Sequence, residues 1–466
     1  MGILLAVPLL LKAQLASIPY ENGIYKISTP NHLKYLSIAV QNNEATEGKT
    51  FYLMNDINMA GIDDFTPIGG WSNDSTNSEK KFSGSFNGNM HKITNLTIHK
   101  DRKDCIGVFG KISYALIENL IVENGNLKGS SHIGGLVGEA HNSTIRDCHT
   151  EIQGDATFRW LGGLAGLLYG TTVSHCSSFS TLKAGIGNDG TGGLIGSAWK
   201  STIFESYAKG IILDMSSNSG YSHIGGFIGS VAQSPISTIK NCYSRTGIVS
   251  TNTHSWSGVG GFIGDGEHVT IINNCYAVPA EFTTVNSCAG LFGGHSLHSV
   301  KNCYYSTAIS VYKGVGCHED QYYPPLNSLF AKSDEELRFS SMVAFPGNEG
   351  SSLNFENATP VWAQDLTSIN DGFPVLRCQL TVGITEPVVS TVTVFPNPTA
   401  GKLRIKNYEL LITNIDIFDV SGRFLSSLTS QLSHEAILDI SHLSSGIYFL
   451  QIQTEKGIIT EKVIKL

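Results

Sequence analysis

The sequence predicts an all-β chain: a right-handed parallel β-helix followed by a small antiparallel, immunoglobulin-like β-sandwich. Three observations carry this. A glycine-rich phrase recurs at a period of about 30 residues, the size at which one supersecondary unit repeats to build a solenoid. A second phrase follows each copy at a fixed offset. Near Thr391 the grammar then changes to alternating strands separated by turn residues.

The glycine phrase reads Gly107-Val-Phe-Gly110, Gly134-Gly-Leu-Val-Gly138, Gly162-Gly-Leu-Ala-Gly166, Gly192-Gly-Leu-Ile-Gly196, Gly225-Gly-Phe-Ile-Gly229, Gly260-Gly-Phe-Ile-Gly264 and Ala289-Gly-Leu-Phe-Gly293. Counted from the glycine before the apolar pair (107, 135, 163, 193, 226, 261, 290), the steps are 28, 28, 30, 33, 35 and 29. Each unit holds three apolar runs too short for helices, punctuated by Gly, Ser and Asn. Three strands per coil follow, with successive coils roughly 4.8 Å apart and the right hand that parallel crossovers take. The glycines are read as tight-turn or positive-φ positions.

The second phrase runs Ile117-Glu-Asn-Leu120, Ile145-Arg-Asp-Cys148, Val173-Ser-His-Cys176, Ile203-Phe-Glu-Ser206, Ile239-Lys-Asn-Cys242, Ile272-Asn-Asn-Cys275 and Val300-Lys-Asn-Cys303. Its first and last positions both want the interior, three residues apart, which alternation forbids. A bend at the slot between them resolves this. That slot holds Asn119, Asp147, His175, Glu205, Asn241, Asn274 and Asn302, with Asn95 one coil earlier; Asn, Asp and His are side chains that tolerate left-handed backbone. The slot after the cysteine then faces out and stacks Tyr207, Tyr243, Tyr276 and Tyr304.

These repeats resemble the GLUG motif of large secreted bacterial proteins, some of them adhesins and peptidases. Phe51 to Ile57, Pro67-Ile-Gly69 and Phe82 to Leu96 resemble the opening coils of such solenoids. The resemblance implies architecture and says almost nothing about activity.

Charged residues are 15% of the chain, Gly accounts for 50 of 466 residues, and the net charge is −8. Residues 391–466 carry seven basic and seven acidic side chains, so the acidity lies in the solenoid. That disfavours nucleic acid. No internal run reaches membrane-spanning length.

Residues 1–16 read as a secretory signal peptide lacking its basic start. Residues 17–105 form a cap and the first coils, with a helix expected from Pro30 behind a Ser28/Thr29 cap. The repeats fill 106–305. Residues 306–380 hold a closing coil and cap, including a capping box at Ser333 and the apolar stretch from Trp362 to Leu376. Residues 381–390 are a linker. From 391 onward the chain resembles the C-terminal sorting domain of the type IX secretion system of Bacteroidota. The matching positions are Pro396, Asn397, Pro398 and Gly401 of the opening, Asp419 and Gly422 of the Asp-Val-Ser-Gly turn, and Gly446 and Tyr448 of the Gly-Ile-Tyr-Phe strand. The resemblance implies secretion, handling by the type IX machinery and its sortase, and release or attachment to surface lipopolysaccharide.

Tyr207, Tyr243, Tyr276 and Tyr304, with Trp160, Trp199 and Trp256 near the glycine turns, are the candidate ligand platform, since aromatic faces stack on sugars; the alternative is that outward tyrosines only favour strand pairing. Asp147, His175 and Glu205 on consecutive coils would suit acid–base chemistry, or are polar variants of a turn ladder. Cys148, Cys176, Cys242, Cys275 and Cys303 read as buried small side chains, while Cys288 with Cys317 remains open as a pair. His295, His298, Cys317, His318, Glu319 and Asp320 gather loosely without a metal signature, and no cofactor or metal is expected. The functional expectation is a non-catalytic adhesin or glycan-binding surface protein. The alternatives are a β-helix polysaccharide-degrading enzyme, lyase or glycoside hydrolase, and a purely structural surface component.

Overall fold

The computed structural model describes residues 14–381 and 392–466, apart from 72–79, 186, 188, 216–219, 232–235, 296, 310, 318–325, 327, 339–360, 366–368, 408–411, 420–423, 434 and 455–456. The chain divides into two units, Met1–Leu380 and Thr381–Leu466.

The first unit is a parallel β-solenoid of about 9 turns. Each central coil contributes three strands, as the repeat predicts. In one coil these are His149–Gly162, Ala165–Tyr169 and Thr172–Ser174, each paired in parallel with its equivalent in the coils before and after. The stack begins at Ile24–Ile27 and runs past the last clear repeat, where Lys313–Cys317 and Leu329–Lys332 still pair in register. Coil stacking therefore outlasts the glycine phrase.

The corner ladder has the predicted backbone. Asn95, Asn119, Asp147, His175, Glu205, Asn241, Asn274 and Asn302 all lie at φ between 49° and 59°. This left-handed residue turns both flanking side chains inward: Ile145 and Cys148 are 0% and 1% exposed, Ile239 and Cys242 both 0%. The ladder thiols are free and buried, and each donates to the carbonyl two residues back, Cys242 Sγ to Lys240 O at 3.0 Å for example. Burial pushes the Cys176, Cys275 and Cys303 thiols well up, so they pack as small apolar groups. Cys288 and Cys317 form a disulfide.

The repeat glycines serve a tight fold-back, one of the two roles expected, but not through positive φ. None of those in the Gly-Gly-x-x-Gly phrase has positive φ. They are sites of close backbone approach. A Cβ on Gly166 would lie 2.6 Å from His132 C and Ile133 N, and one on Gly229 2.4 Å from Thr191 N. The last glycine of the phrase thus seats directly against the first strand of the preceding coil at Gly166, Gly196, Gly229 and Gly264.

Helix α1, Pro30–Gln41, starts at an N-cap Thr29 whose side chain accepts from His32 N, and buries Leu33, Leu36, Ala39 and Val40 in the solenoid core. It covers apolar side chains at the N-terminal end of the stack. Gln14–Ser17 forms a short 3₁₀ turn whose Leu15 joins the same core; most of the expected leader, residues 1–13, lies outside the described residues. Helix α2, Asp334–Arg338, carries the expected capping box, with Glu336 accepting from Ser333 N at 2.7 Å and Glu336 N donating to Ser333 Oγ at 3.1 Å.

The expected closing coil is not a coil. Trp362–Ala363 and Val375–Leu376 pair antiparallel and continue into helix α3, Arg377–Thr381. This hairpin lies on the side of the solenoid as a clasp.

The second unit is an antiparallel sandwich. One sheet holds Val392–Phe395, Lys402–Asn407 and Glu435–Asp439; the other orders Phe424–Ser433, Ile412–Asp419, Gly446–Thr454 and Gly457–Lys465. Leu403, Ile405 and Leu438 from the first meet Ile415, Ile417, Leu450 and Ile452 from the second in one core.

The glycine seats predict a contrast. Gly166→Ala should destabilise by about 1–3 kcal/mol through overpacking against fixed backbone. Gly247→Ala, whose nearest neighbour is 3.5 Å away, should leave the urea unfolding midpoint nearly unchanged. Equal midpoints for the two variants would refute the seating role.

Candidate functional site

The four tyrosines do project from one face of the coils, and three stack: Tyr207 on Tyr243 with ring centroids 4.9 Å apart and planes at 5°, Tyr243 on Tyr276 at 5.0 Å and 2°. The stripe is not an open platform. Tyr243 and Tyr276 are 0% exposed and Tyr304 6%, because the clasp lies across them. Trp362 packs 5.5 Å from Tyr276, and Leu337, Phe373 and Leu376 complete an apolar cluster with the stripe. Polar contacts fasten it. Asn370 Nδ2 donates to Tyr276 Oη at 2.7 Å, Tyr276 Oη donates to Pro374 O, Gln379 Nε2 donates to Tyr243 Oη at 2.8 Å, and Arg245 pairs with Asp371. Desolvation raises the phenol pKa of both central tyrosines. The stripe is thus the seat of the clasp. The apolar run Phe373 to Leu376, which needs a surface to cover, was the signal for this in the sequence.

Asp147, His175 and Glu205 are brought together. His175 Nδ1 lies 3.3 Å from Asp147 Oδ1 and its Nε2 3.2 Å from Glu205 Oε2. The hydrogen bond to Glu205, with the nearby carboxylate charges, raises the imidazole pKa against partial desolvation. Cys378 at the end of the clasp feels the same carboxylates. Burial first, then Glu205 and Asp147, push its thiol up to about 12. A thiol so poised is protonated at neutral pH and is a poor nucleophile.

The tryptophans lie on a different face, beside the glycine seats. Trp160 and Trp199 are half-buried and meet edge to face at 5.9 Å. Trp256 is 72% exposed and stands over a cleft of about 400 Å³ lined by Tyr221, His223, His254, Trp256, Asp265 and His295. His223 Nε2 lies 3.8 Å from Asp265 Oδ2, and the His223 and His295 rings are 5.6 Å apart. Of these six side chains, sequence reading found Trp256 as a binding candidate and His295 within a loose metal cluster. The rest of that cluster does not assemble among the described residues: Cys317 is in the disulfide, the His298 side chain and residues 318–320 lie outside the description, and no group of His, Cys, Asp or Glu there is placed to hold a metal. Tyr221, His223, His254 and Asp265 carry no shared spacing. Only coil register joins them.

In the second unit, Asn397 Oδ1 accepts from Ile464 N at 2.9 Å, tying the Pro396-Asn397-Pro398 opening to the last strand. A Cβ on Gly401 would lie 2.3 Å from Ser441 Oγ. Tyr448 Oη donates to Ser444 O at 2.8 Å. Asp419 and Gly446 end paired strands, while Gly422 lies outside the described residues.

Residues 393–466 match the secretion system C-terminal sorting domain. The chain is therefore directed by the type IX machinery to the cell surface or the extracellular space. Over 199 residues, 42% of this chain and 8% of the relative, it is 29% identical to an immunoglobulin A1 protease of Streptococcus sanguinis. Over 137 residues, 28% of this chain and 1% of the relative, it is 28% identical to halomucin of Haloquadratum walsbyi. Among solved structures, a Bacteroides ovatus protein described as a candidate immunoglobulin A1 protease aligns with 76% of this chain and 92% of its own, at 18% identity and a TM-score of 0.48. The chain spans under a tenth of either curated relative. No helix among the described residues is long and apolar enough to cross a membrane.

Two measurements check these assignments. Tyr276→Ala should cost about 3 kcal/mol or more and open residues 361–379 to limited proteolysis, whereas Tyr276→Phe, losing only its hydrogen bonds, should cost about 1 kcal/mol. His175 is more basic folded than unfolded. Its ion pairs therefore contribute fully below the unfolded value of about 6.5 and fade as pH rises through the higher folded value. The urea-midpoint difference between wild type and His175→Gln should accordingly be larger near pH 5.5 than near pH 8.5; the reverse trend would contradict the bridged imidazole.

Proposed function

We propose that the chain is a non-catalytic, glycan-binding surface protein of the adhesin kind, with its repeats assigned to the GLUG class. The carrying observation is Trp256, 72% exposed over a cleft furnished with Tyr221, three imidazoles and Asp265. An aromatic face beside a small set of polar groups is what sugar binding uses: apolar contact with the ring, hydrogen bonds to its hydroxyls. The passenger would reach the surface through residues 391–466, with the sortase and surface lipopolysaccharide as its partners in anchoring.

A hydrolytic reading has one observation in its favour, the imidazole bridging Asp147 and Glu205. It would gain support if the intact protein released reducing ends from a polysaccharide, or cleaved immunoglobulin A1, and Glu205→Gln abolished this. The protease name belongs to relatives that share only part of this chain. The adjacent thiol, raised to about 12, argues against a cysteine nucleophile there.

The full chain should show saturable binding to one class of glycan on an array. Trp256→Ala should weaken it about tenfold or more, roughly 1.4 kcal/mol, with unchanged far-ultraviolet circular dichroism. Undiminished binding by Trp256→Ala would remove the cleft from the reading.

A further inference from the structure

A second cleft, of about 400 Å³, lies on the first strands of five successive coils, from Asn95 to Gly210. It shares no residue with the cleft of Trp256, and its volume is in the range of ligand sites. The glycine and corner ladders pass through these coils unbroken, but the first strands do not. Three departures fall side by side. In Ile121–Gly134 the pairing with the next coil steps from Val122 with Thr150 to Gly125 with Ile152, so one residue is inserted, and Asn124 takes φ 53° there. Asn95, at φ 59°, stands by register over Asn124 rather than Asn119. One coil on, the paired residues stop at Thr150 with Ser178 and resume at Gln153 with Thr181, and Ile152 N donates to Ser180 Oγ at 3.4 Å. In the next coil Gly210 lies at φ 112°, where a Cβ would be 2.0 Å from Ser180 O. Irregularities of this kind bend a strand and re-aim its side chains.

Alternation along the strands sends Glu151 and Gln153 outward on either side of the buried Ile152, and Phe179 and Thr181 outward on either side of the buried Ser180. Register stacks Asn126, Gln153 and Thr181 in one row. Asn124, Glu151 and Phe179 line the other side. This furnishing is uncommitted. Asn124, Gln153 and Thr181 are exposed, and among the described residues their side chains have no hydrogen-bond partner. By contrast, Asn95, Asn119 and Asn370 each donate to a protein oxygen. Asn126 Oδ1 accepts from His99 Nε2 at 3.0 Å, which leaves its two amide hydrogens for a ligand. Phe179 is 55% exposed.

We propose that this cleft is a second glycan-binding site, taking a short uncharged oligosaccharide. It shares the ligand chemistry of the reading above and none of its residues. Primary amides and hydroxyls both donate and accept, as sugar hydroxyls do, so Asn126, Gln153 and Thr181 can meet neighbouring hydroxyls at the roughly 4.8 Å spacing of the coils. The Phe179 ring offers the apolar surface on which the face of a pyranose packs. A wholly apolar ligand would cover these amides without satisfying them, which costs binding energy. Glu151 is the one charged side chain among the described residues lining the cleft. A uronate or sulfated chain would meet that carboxylate and no cation, on a chain that already carries −8.

The test is calorimetric titration of the full chain, and of its Phe179→Ala, Gln153→Ala and Trp256→Ala variants, with uncharged gluco-, galacto- and manno-oligosaccharides beside oligouronates of matched length. For one uncharged series Phe179→Ala should lower affinity about tenfold, the upper end of an aromatic contact. Gln153→Ala should lower it about fivefold, one hydrogen bond, and Trp256→Ala should leave that series unchanged. Phe179 and Gln153 are both exposed, so these variants should keep the far-ultraviolet circular dichroism of the wild type. Undiminished binding by Phe179→Ala and Gln153→Ala would overturn the second site, and a fall in Trp256→Ala alone would leave the reading above standing. Losses confined to Phe179→Ala and Gln153→Ala in every series would support the second site and remove the Trp256 cleft. A preference for oligouronates that Phe179→Ala abolishes would overturn the uncharged class. Silence from every oligosaccharide would overturn both readings.

Discussion

The structure depends on one steric constraint: at each glycine phrase, backbone packs against backbone with no room for a Cβ. A Cβ on Gly162 would lie 2.1 Å from Ala165 O, and one on Gly225 1.8 Å from Ile228 O. Within a coil, this lets the chain fold back between its first and second strands. Between coils, the last glycine of one phrase seats on the strand below. Because the seating is repeated, each coil fixes the lateral position of the next, and the other ladders follow. The second constraint, the left-handed residue before the cysteine slot, turns the remaining corner and places two side chains inward three residues apart. A coil turned at these two corners encloses an apolar interior.

This explains which parts were legible in the sequence. The corner ladder could be read because its geometry imposes residue types: Asn fills most of the coils, and even Glu205 takes φ 49° once its neighbours dictate the bend. The cysteine ladder, the α1 cap, the Ser333 capping box and the sandwich core could be read for the same reason, each being a local demand on side chains. The glycines were located correctly and their tight-turn role was legible, but not that close approach rather than positive φ selects them, since both select the same residue. Only the neighbouring coil distinguishes them.

Long-range coverage was not legible. Alternation correctly placed Tyr243 and Tyr276 outside the coil, yet outside the coil is not outside the protein. The clasp arrives from a segment some hundred residues later, as in the bond between Asn370 and Tyr276. The cleft illustrates the converse. Tyr221, His223, His254, Asp265 and His295 share no motif, and they meet because unequal loop insertions still return each strand to the same register. Coil steps of 33 and 35 residues mark the places where extra residues were spent, and the cleft is built at those two steps.

That coincidence links fold to function. A perfectly periodic solenoid would present identical ladders along its whole length and so no localised site. Here the shortest coils, at steps of 28, carry the plain ladders, and the longer ones bring Tyr221, His254 and Trp256 out on their extra residues. The tyrosine face, by contrast, is taken up by the clasp, which buries Trp362 and Phe373 against it. Of the two aromatic faces, one is committed to stability and the other, beside the glycine seats, stays open. For a chain exported to the cell surface, exposed aromatic area risks nonspecific association. Burying the tyrosine stripe under the clasp limits that risk, while Trp256 stays exposed beside its cleft.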